Sequence, residues 1–330
     1  MSDLVISYKC RNRISALQVG WTIALYFMLW WIALALADHM YPVSLVLALA
    51  LGFCTVRIFN IQHDCTHHSY FTSNAANDYL GLFLGVLTLT PHFYWTVNHL
   101  RHHGTSGNLD LRGFGDIHTY TLREFQQLST ARKTFYILYR NPFIYLLIGP
   151  IYHFALKMRV PYIARRRSRA RFSIHLVNGM LALICLEILL YFPDPKIFFT
   201  LYAVNFITSG AIGLGLFYVQ HQFEGAYWQR TPDWKFSDAS LHGSSYLRLP
   251  RFLEWFFVYI NIHHVHHLHP KTPNYHLKSR AVDLPVMSQN VEITLLDSIR
   301  SFRLKLWDED AQKMVGFPVK NRSPQHDDNS

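Results

Sequence analysis

Four stretches of the chain carry almost no charge. Ile14–Ala37, Met40–Val56 and Ile197–Gln220 hold no Asp, Glu, Lys or Arg, and Phe172–Phe192 holds only Glu187. A helix that crosses a bilayer needs roughly 20 mostly apolar residues. The pattern therefore predicts four transmembrane helices, over about residues 14–37, 40–60, 172–192 and 197–220. Short turns at Asp38–Pro42 and Pro193–Lys196 pair them into two hairpins. The expected fold class is all-α, a polytopic membrane protein whose polar segments build a helical cap on one face. Two more segments are apolar but broken. Leu80–Val97 is interrupted by Pro91, and Asn141–Leu156 carries Pro142 and Pro150. Their composition leaves open whether they span, re-enter or lie in the interface.

Charge sets the orientation. The chain has 330 residues and a net charge of +10 with histidines neutral. Lys157–Arg171 holds seven cationic residues and no acidic one, and Lys9, Arg11 and Arg13 precede the first span. Loops rich in Lys and Arg stay in the cytosol, so both termini and the middle loop are expected there. A bacterial cytoplasmic membrane is the expected location. The basic loop would attract anionic headgroups. It lacks any motif for nucleic acid, and no nucleic-acid partner is expected. Cys10, Cys54, Cys65 and Cys185 form no CxxC pair and no disulfide framework. No internal repeat or linker appears, so residues 1–330 read as a single membrane domain, with residues 321–330 a polar tail without structure.

The chemistry lies in the histidines. The chain has 20, and ten of them sit in three boxes at residues 63–68, 99–103 and 263–267. In the first, His63 and His67 stand at i and i+4 and project from one helix face. His99, His102 and His103 stand at i, i+3 and i+4, and so do His263, His266 and His267. Such spacing lets imidazoles on adjacent turns converge on a shared metal. One box alone could cap a helix or sit in the interface. Three boxes packed without metal would leave many buried ring nitrogens in need of partners. To act together, the boxes must lie on one side of the bilayer, so Leu80–Val97 is expected to re-enter or lie flat rather than cross. Imidazole suits zinc, copper, iron and nickel alike. Zinc usually takes four ligands, so this many histidines suit two metals. Ligand type alone does not choose iron.

The three boxes resemble those of the membrane fatty acid desaturases of the acyl-lipid type found in bacteria and plastids. That family carries one His-x-x-x-His box and two His-x-x-His-His boxes. The likeness continues through Phe217–Glu224, where the family supplies a further histidine, through Ser106–Asp110 and Gly115-Asp116, and through Gly243–Tyr246 and Pro273–Tyr275. It covers about Asn60 to Leu277. Thr66, Gly225 and His242 depart from the common pattern without touching a proposed ligand.

The resemblance implies two iron ions held by His63, His67, His99, His102, His103, His221, His263, His266 and His267. It implies O2 as co-substrate, an acyl lipid as substrate and a cis double bond as product. Electrons would come from a separate carrier, ferredoxin or a cytochrome b5-like protein, because the chain has no flavin or nicotinamide fingerprint. His68, His264, Asp64, Asn98 and Asn261 are candidates to orient the imidazoles. His92, His242, His269 and His276 are read as structural. Phe93, Tyr94 and Trp95 are candidates to line an acyl tunnel, or else an interfacial aromatic belt. Two other readings use the same boxes. A membrane hydroxylase or ketolase would keep the site and change the product. A histidine-rich metal transporter or sensor would need polar or ionisable residues along its spans, and the first, second and fourth spans offer few.

Overall fold

The computed structural model describes residues 8–113, 115–161, 168–283 and 291–318. Four helices are long and apolar enough to cross a membrane: α1 (Asn12–Ala35), α2 (Tyr41–Thr66), α7 (Arg169–Tyr191) and α8 (Pro195–His221). They form the two expected hairpins. Pro42 lies at the start of α2 and Pro195 at the start of α8, where a missing N–H costs nothing. The second span runs further than its charge-free stretch. Nothing breaks the helix between Asn60 and Thr66, so the first box begins on the last turn of α2, with His67 at its C-cap.

A core of α1, α2 and α8 is built on Tyr26, Trp30, Leu51, Ile58 and Leu201. Trp30 stacks on Phe198 at 5.2 Å. Thr55 donates to the Asn205 side chain at 2.9 Å, joining α2 to α8 inside the apolar layer. The two helices approach closely at Gly52, where a methyl group would lie 2.5 Å from Thr208 Cγ2. Small residues permit such crossings in a bilayer. Gly52→Leu is expected to cost about 1–3 kcal/mol by overpacking, read as a lowered unfolding temperature of the purified protein.

Between the hairpins, α3 (Asn74–Leu87) and α4 (His92–Thr105) meet at a bend of 103°. The elbow turns the chain back toward the first box, so boxes one and two share a side as the boxes require. Its backbone is satisfied from α2. Gln62 Nε2 donates to the Thr90 carbonyl at 2.9 Å, and Thr88 Oγ1 donates to Gln62 Oε1 at 2.7 Å. Without such a buried partner the turn would strand polar backbone. His92, at the elbow, packs against Gly81, where a methyl would lie 2.3 Å from its ring.

The segment 141–156 forms π-helical turns, Ile144–Ile148 and Ile151–Leu156, laid against α8. Pro150 fits over Gly210, where a methyl would meet it at 2.4 Å. Short helices make the cap: α5 (Leu122–Gln127), α6 (Thr130–Tyr139), α9 (Phe236–His242), α10 (Arg251–Phe256), α11 (His263–Leu268), α12 (Asn274–Asp283) and α13 (Leu295–Ser301). Four three-residue strands decorate it. β1 (Ser245–Leu247) pairs with β2 (Val291–Ile293) in parallel, and β3 (Leu306–Asp308) pairs with β4 (Lys313–Val315) antiparallel. The architecture stays helical. Arg165–Arg167 of the basic loop and the tail 321–330 lie outside the described residues.

Candidate metal centre

Nine imidazoles from four helices gather where α2, α4, α8 and α11 meet. All nine are buried. Their ligand atoms fall into two sets, each within 4.8 Å of one another: His63, His67, His99, His103 and His266, then His102, His221, His263 and His267. These are the nine positions that the boxes and the Phe217–Glu224 segment single out. The triples do not each serve one point, as their spacing alone leads one to expect. In box two the i,i+4 pair, His99 and His103, joins the first set while His102 crosses to the second. In box three the i,i+4 pair, His263 and His267, joins the second set while His266 crosses to the first. The sets abut where the rings of His103 and His267 stack at 4.1 Å.

Eight of the nine rings meet through their ε nitrogens. His99 Nε2 lies 2.9 Å from His67 Nε2 and 3.0 Å from His103 Nε2. His103 Nε2 is in turn 3.0 Å from His266 Nε2. In the second set, His221 Nε2 lies 3.2 Å from His102 Nε2 and 3.0 Å from His263 Nε2. His267 Nε2 is 3.1 Å from His263 Nε2. A neutral ring nitrogen carries one proton or one lone pair. It cannot satisfy two such neighbours.

Tautomers sharpen the point. His221 Nδ1 is 2.9 Å from the Gly243 carbonyl, which only accepts, so the proton is on Nδ1 and Nε2 is a lone pair. His102 Nδ1 donates to the Asp116 carboxylate, which leaves its Nε2 a lone pair as well. Two lone pairs therefore face each other across 3.2 Å, with His263 and His267 aimed at the same point. One proton can bridge two nitrogens but not four. A metal cation fits. Metal–imidazole bonds of about 2.1 Å held near right angles put neighbouring nitrogens about 3.0 Å apart. Burial first, and then the neighbouring imidazoles, push His263, His266 and His267 well below the usual histidine range. They stand neutral, the form in which an imidazole can hold a metal.

The surroundings divide the remaining candidates. Trp95 stacks on His99 at 4.3 Å with planes 11° apart and meets His63 edge-on at 5.7 Å. Tyr94 instead packs with Met158 and Ile174 on the α7 side. Phe93 lies under the Arg169 guanidinium at 3.8 Å. Phe217 is the apolar neighbour of the second set, 5.2 Å from His102 and 5.4 Å from His221. Asp64 Oδ1 is 3.7 Å from His63 Nδ1, while its other oxygen accepts from Asn274. Asn98 donates to the Tyr94 carbonyl and Asn261 to the Leu247 carbonyl. His68 pairs with Asp78 at 3.0 Å, and His264 lies 6.3 Å from Tyr246.

Among the described residues, the partners that fix ring orientation are Asp116 and the Gly243 carbonyl, neither of which the box spacing indicates. The only sequence signal for Asp116 is its place in Gly115-Asp116. Gly115 has φ +69°, and a methyl there would lie 2.8 Å from the Asn98 carbonyl. A turn that tight brings the Asp116 carboxylate back onto α4.

Residues 40–287 match the family model described as fatty acid desaturase. The chain is 40% identical over 304 residues to a fatty acid desaturase of Bacillus subtilis (strain 168), covering 92% of this chain and 86% of the other. It is 24% identical over 245 residues to an sn-1 oleoyl-lipid 12-desaturase of Synechocystis sp., covering 69% of this chain and 64% of that one. A second sn-1 oleoyl-lipid 12-desaturase, from Arthrospira platensis, is 23% identical over 260 residues, with coverage of 76% and 70%.

Proposed function

Because this chain belongs to the fatty acid desaturase family and is therefore a membrane oxidoreductase acting on fatty acyl chains, we propose that it introduces a cis double bond into a lipid-linked chain at a di-iron centre built from the nine histidines. The observation that carries this reading is the convergence of nine imidazoles into a set of five and a set of four. The printed names of the Synechocystis and Arthrospira relatives support a lipid-linked substrate. Each set would hold one iron, and the pair with O2 would supply the oxidising power to remove two hydrogens from adjacent unactivated carbons, the oxygen leaving as water.

The protein's part is placement. Burial of all nine rings keeps water from the reacting carbons. Trp95 and Phe217 are the apolar side chains set directly against the two sets, and the acyl chain would run beside them. Asp116 and the Gly243 carbonyl hold His102 and His221 in the tautomer that offers Nε2. Two electrons per turnover would come from a separate carrier, ferredoxin or cytochrome b5-like. The basic segments at Lys9–Arg13 and Lys157–Arg171 support a cytosolic histidine side.

The test is the fatty acid profile of a host expressing the chain, by gas chromatography–mass spectrometry with double-bond derivatisation. A new unsaturated species establishes the product and its bond position. Asp116→Asn is expected to lower that species by about 10- to 100-fold, the usual cost of losing a ligand's outer partner, with bound iron falling from two toward one. A hydroxylated product, or a two-iron protein in lipid with donor present and no new double bond, overturns the reading.

A further inference from the structure

Arg57 lies inside the second span, two turns before the first box, and is 5% exposed. Its guanidinium stacks on the Trp255 ring at 3.9 Å. Nε donates to Thr22 Oγ1 at 2.9 Å and Nη1 to the Trp255 carbonyl. A guanidinium has five N–H donors. Among the described residues no carboxylate pairs with it. A buried cation with no counter-charge costs several kcal/mol, and one inside a span is a functional mark by default.

The guanidinium faces a recess of about 350 Å³ lined by Ile14, Leu17, Gln18, Trp21, Arg57 and Trp255. Depth identifies what can reach it. At 1.5 Å per residue, Arg57 lies roughly 24 Å along α2 from Tyr41. The hydrocarbon layer is about 30 Å thick, so Arg57 sits just under the headgroups on the histidine side. Trp21 and Trp255 are the residue type that settles at that level, and Trp21 is 74% exposed, open to lipid.

We propose that this recess binds a glycerophospholipid of the leaflet on the histidine side, with its phosphate on the free Arg57 donors and one acyl chain along Leu17 and Trp21. The phosphate supplies the counter-charge that the protein lacks. The site is distinct from the nine histidines and goes beyond the desaturation reaction. Its occupant clamps α1 to α2 beside the first box. Gln18, on the recess wall, is paired with the Asn274 amide at 2.8 Å, and Asn274 in turn donates to Asp64 at 2.8 Å.

The experiment is thermal unfolding of the full-length metal-loaded protein in a neutral detergent. It is titrated with dioleoylphosphatidylglycerol or with a neutral glucosyl-diacylglycerol of the same chains. Phosphatidylglycerol is expected to raise the unfolding temperature saturably, as a ligand of the folded state does, and the glycolipid is not. Arg57→Gln is expected to shift the titration midpoint by roughly tenfold or more, the worth of a charged hydrogen bond. Trp21→Ser removes the exposed wall without touching the buried cation and is expected to weaken the response too. It serves alone if Arg57→Gln does not fold. Equal responses to both lipids, or a phosphatidylglycerol response unchanged in the variants that fold, overturns the site.

Discussion

Replacing His99 with alanine should empty the five-histidine set and abolish desaturation. His99 Nε2 is the nitrogen with both His67 and His103 within 3.0 Å, and its ring is the one on which Trp95 stacks. Its loss removes a ligand and lets the indole fall into the gap. A metal supplies several kcal/mol to the reaction it serves, and each 1.36 kcal/mol is tenfold in rate. Product should therefore drop by about three orders of magnitude or more, with bound iron falling from two per chain toward one or none. Iron analysis of the purified protein beside the lipid profile checks both. A variant that keeps two irons and full activity would remove His99 from the site. The same change at His68 should do far less, because that ring faces Asp78 and belongs to neither set.

Arg140→Leu should unfold the cap. Arg140 is wholly buried at the end of α6, and its guanidinium serves groups from three parts of the chain. It donates to the His118 carbonyl at 3.2 Å, to Tyr218 Oη at 3.0 Å, to Gln222 Oε1 at 2.7 Å and to the Leu304 carbonyl at 3.1 Å. Leucine fills much of the space but removes the charged donor these acceptors share, leaving neutral hydroxyls alone on them: Tyr136 on the His118 carbonyl, Tyr218 on the Leu304 carbonyl and Thr119 on Gln222 Oε1. A loss of about 1.5–3 kcal/mol is expected, the worth of hydrogen bonds to a charged group. Because Gln222 follows His221, the second histidine set should loosen first. The expected result is a lowered unfolding temperature together with iron lost from one set. An unchanged unfolding temperature would show that the network carries little.

The two proposals meet at α2. That helix carries Arg57 toward lipid, Asp64 toward Asn274 and His63 and His67 toward the first set. Arg57 and Asp64, seven residues apart, share one face and His63 and His67 another, and a helix held on two faces has little freedom to rotate. This is how nine neutral imidazoles on four separate helices can stay in register at the end of the spans.

Much of this protein is determined locally and was therefore readable without coordinates. A span announces itself because hydrocarbon tolerates almost no charge over about 20 residues. The four helices follow that rule to within a few residues, except where α2 runs on to Thr66 because no helix breaker stops it. The nine histidines are legible because helical spacing puts i, i+3 and i+4 near one face, and His221 because its neighbours resemble a known segment.

What the tertiary structure alone decided is how the nine divide. Positions i+3 and i+4 stand about 100° apart around a helix, so the two can serve different points when facing helices supply the rest of each set. That is why His102 and His266 cross between sets, and no spacing rule within one helix can reveal it. The same holds for Asp116, which returns to His102 through a glycine turn, and for the separation of Trp95 from Phe93 and Tyr94, adjacent in sequence but pointed at different neighbours. Sequence specifies which side chains a helix offers and at what angles. Only the packing of one helix on another specifies what each side chain meets.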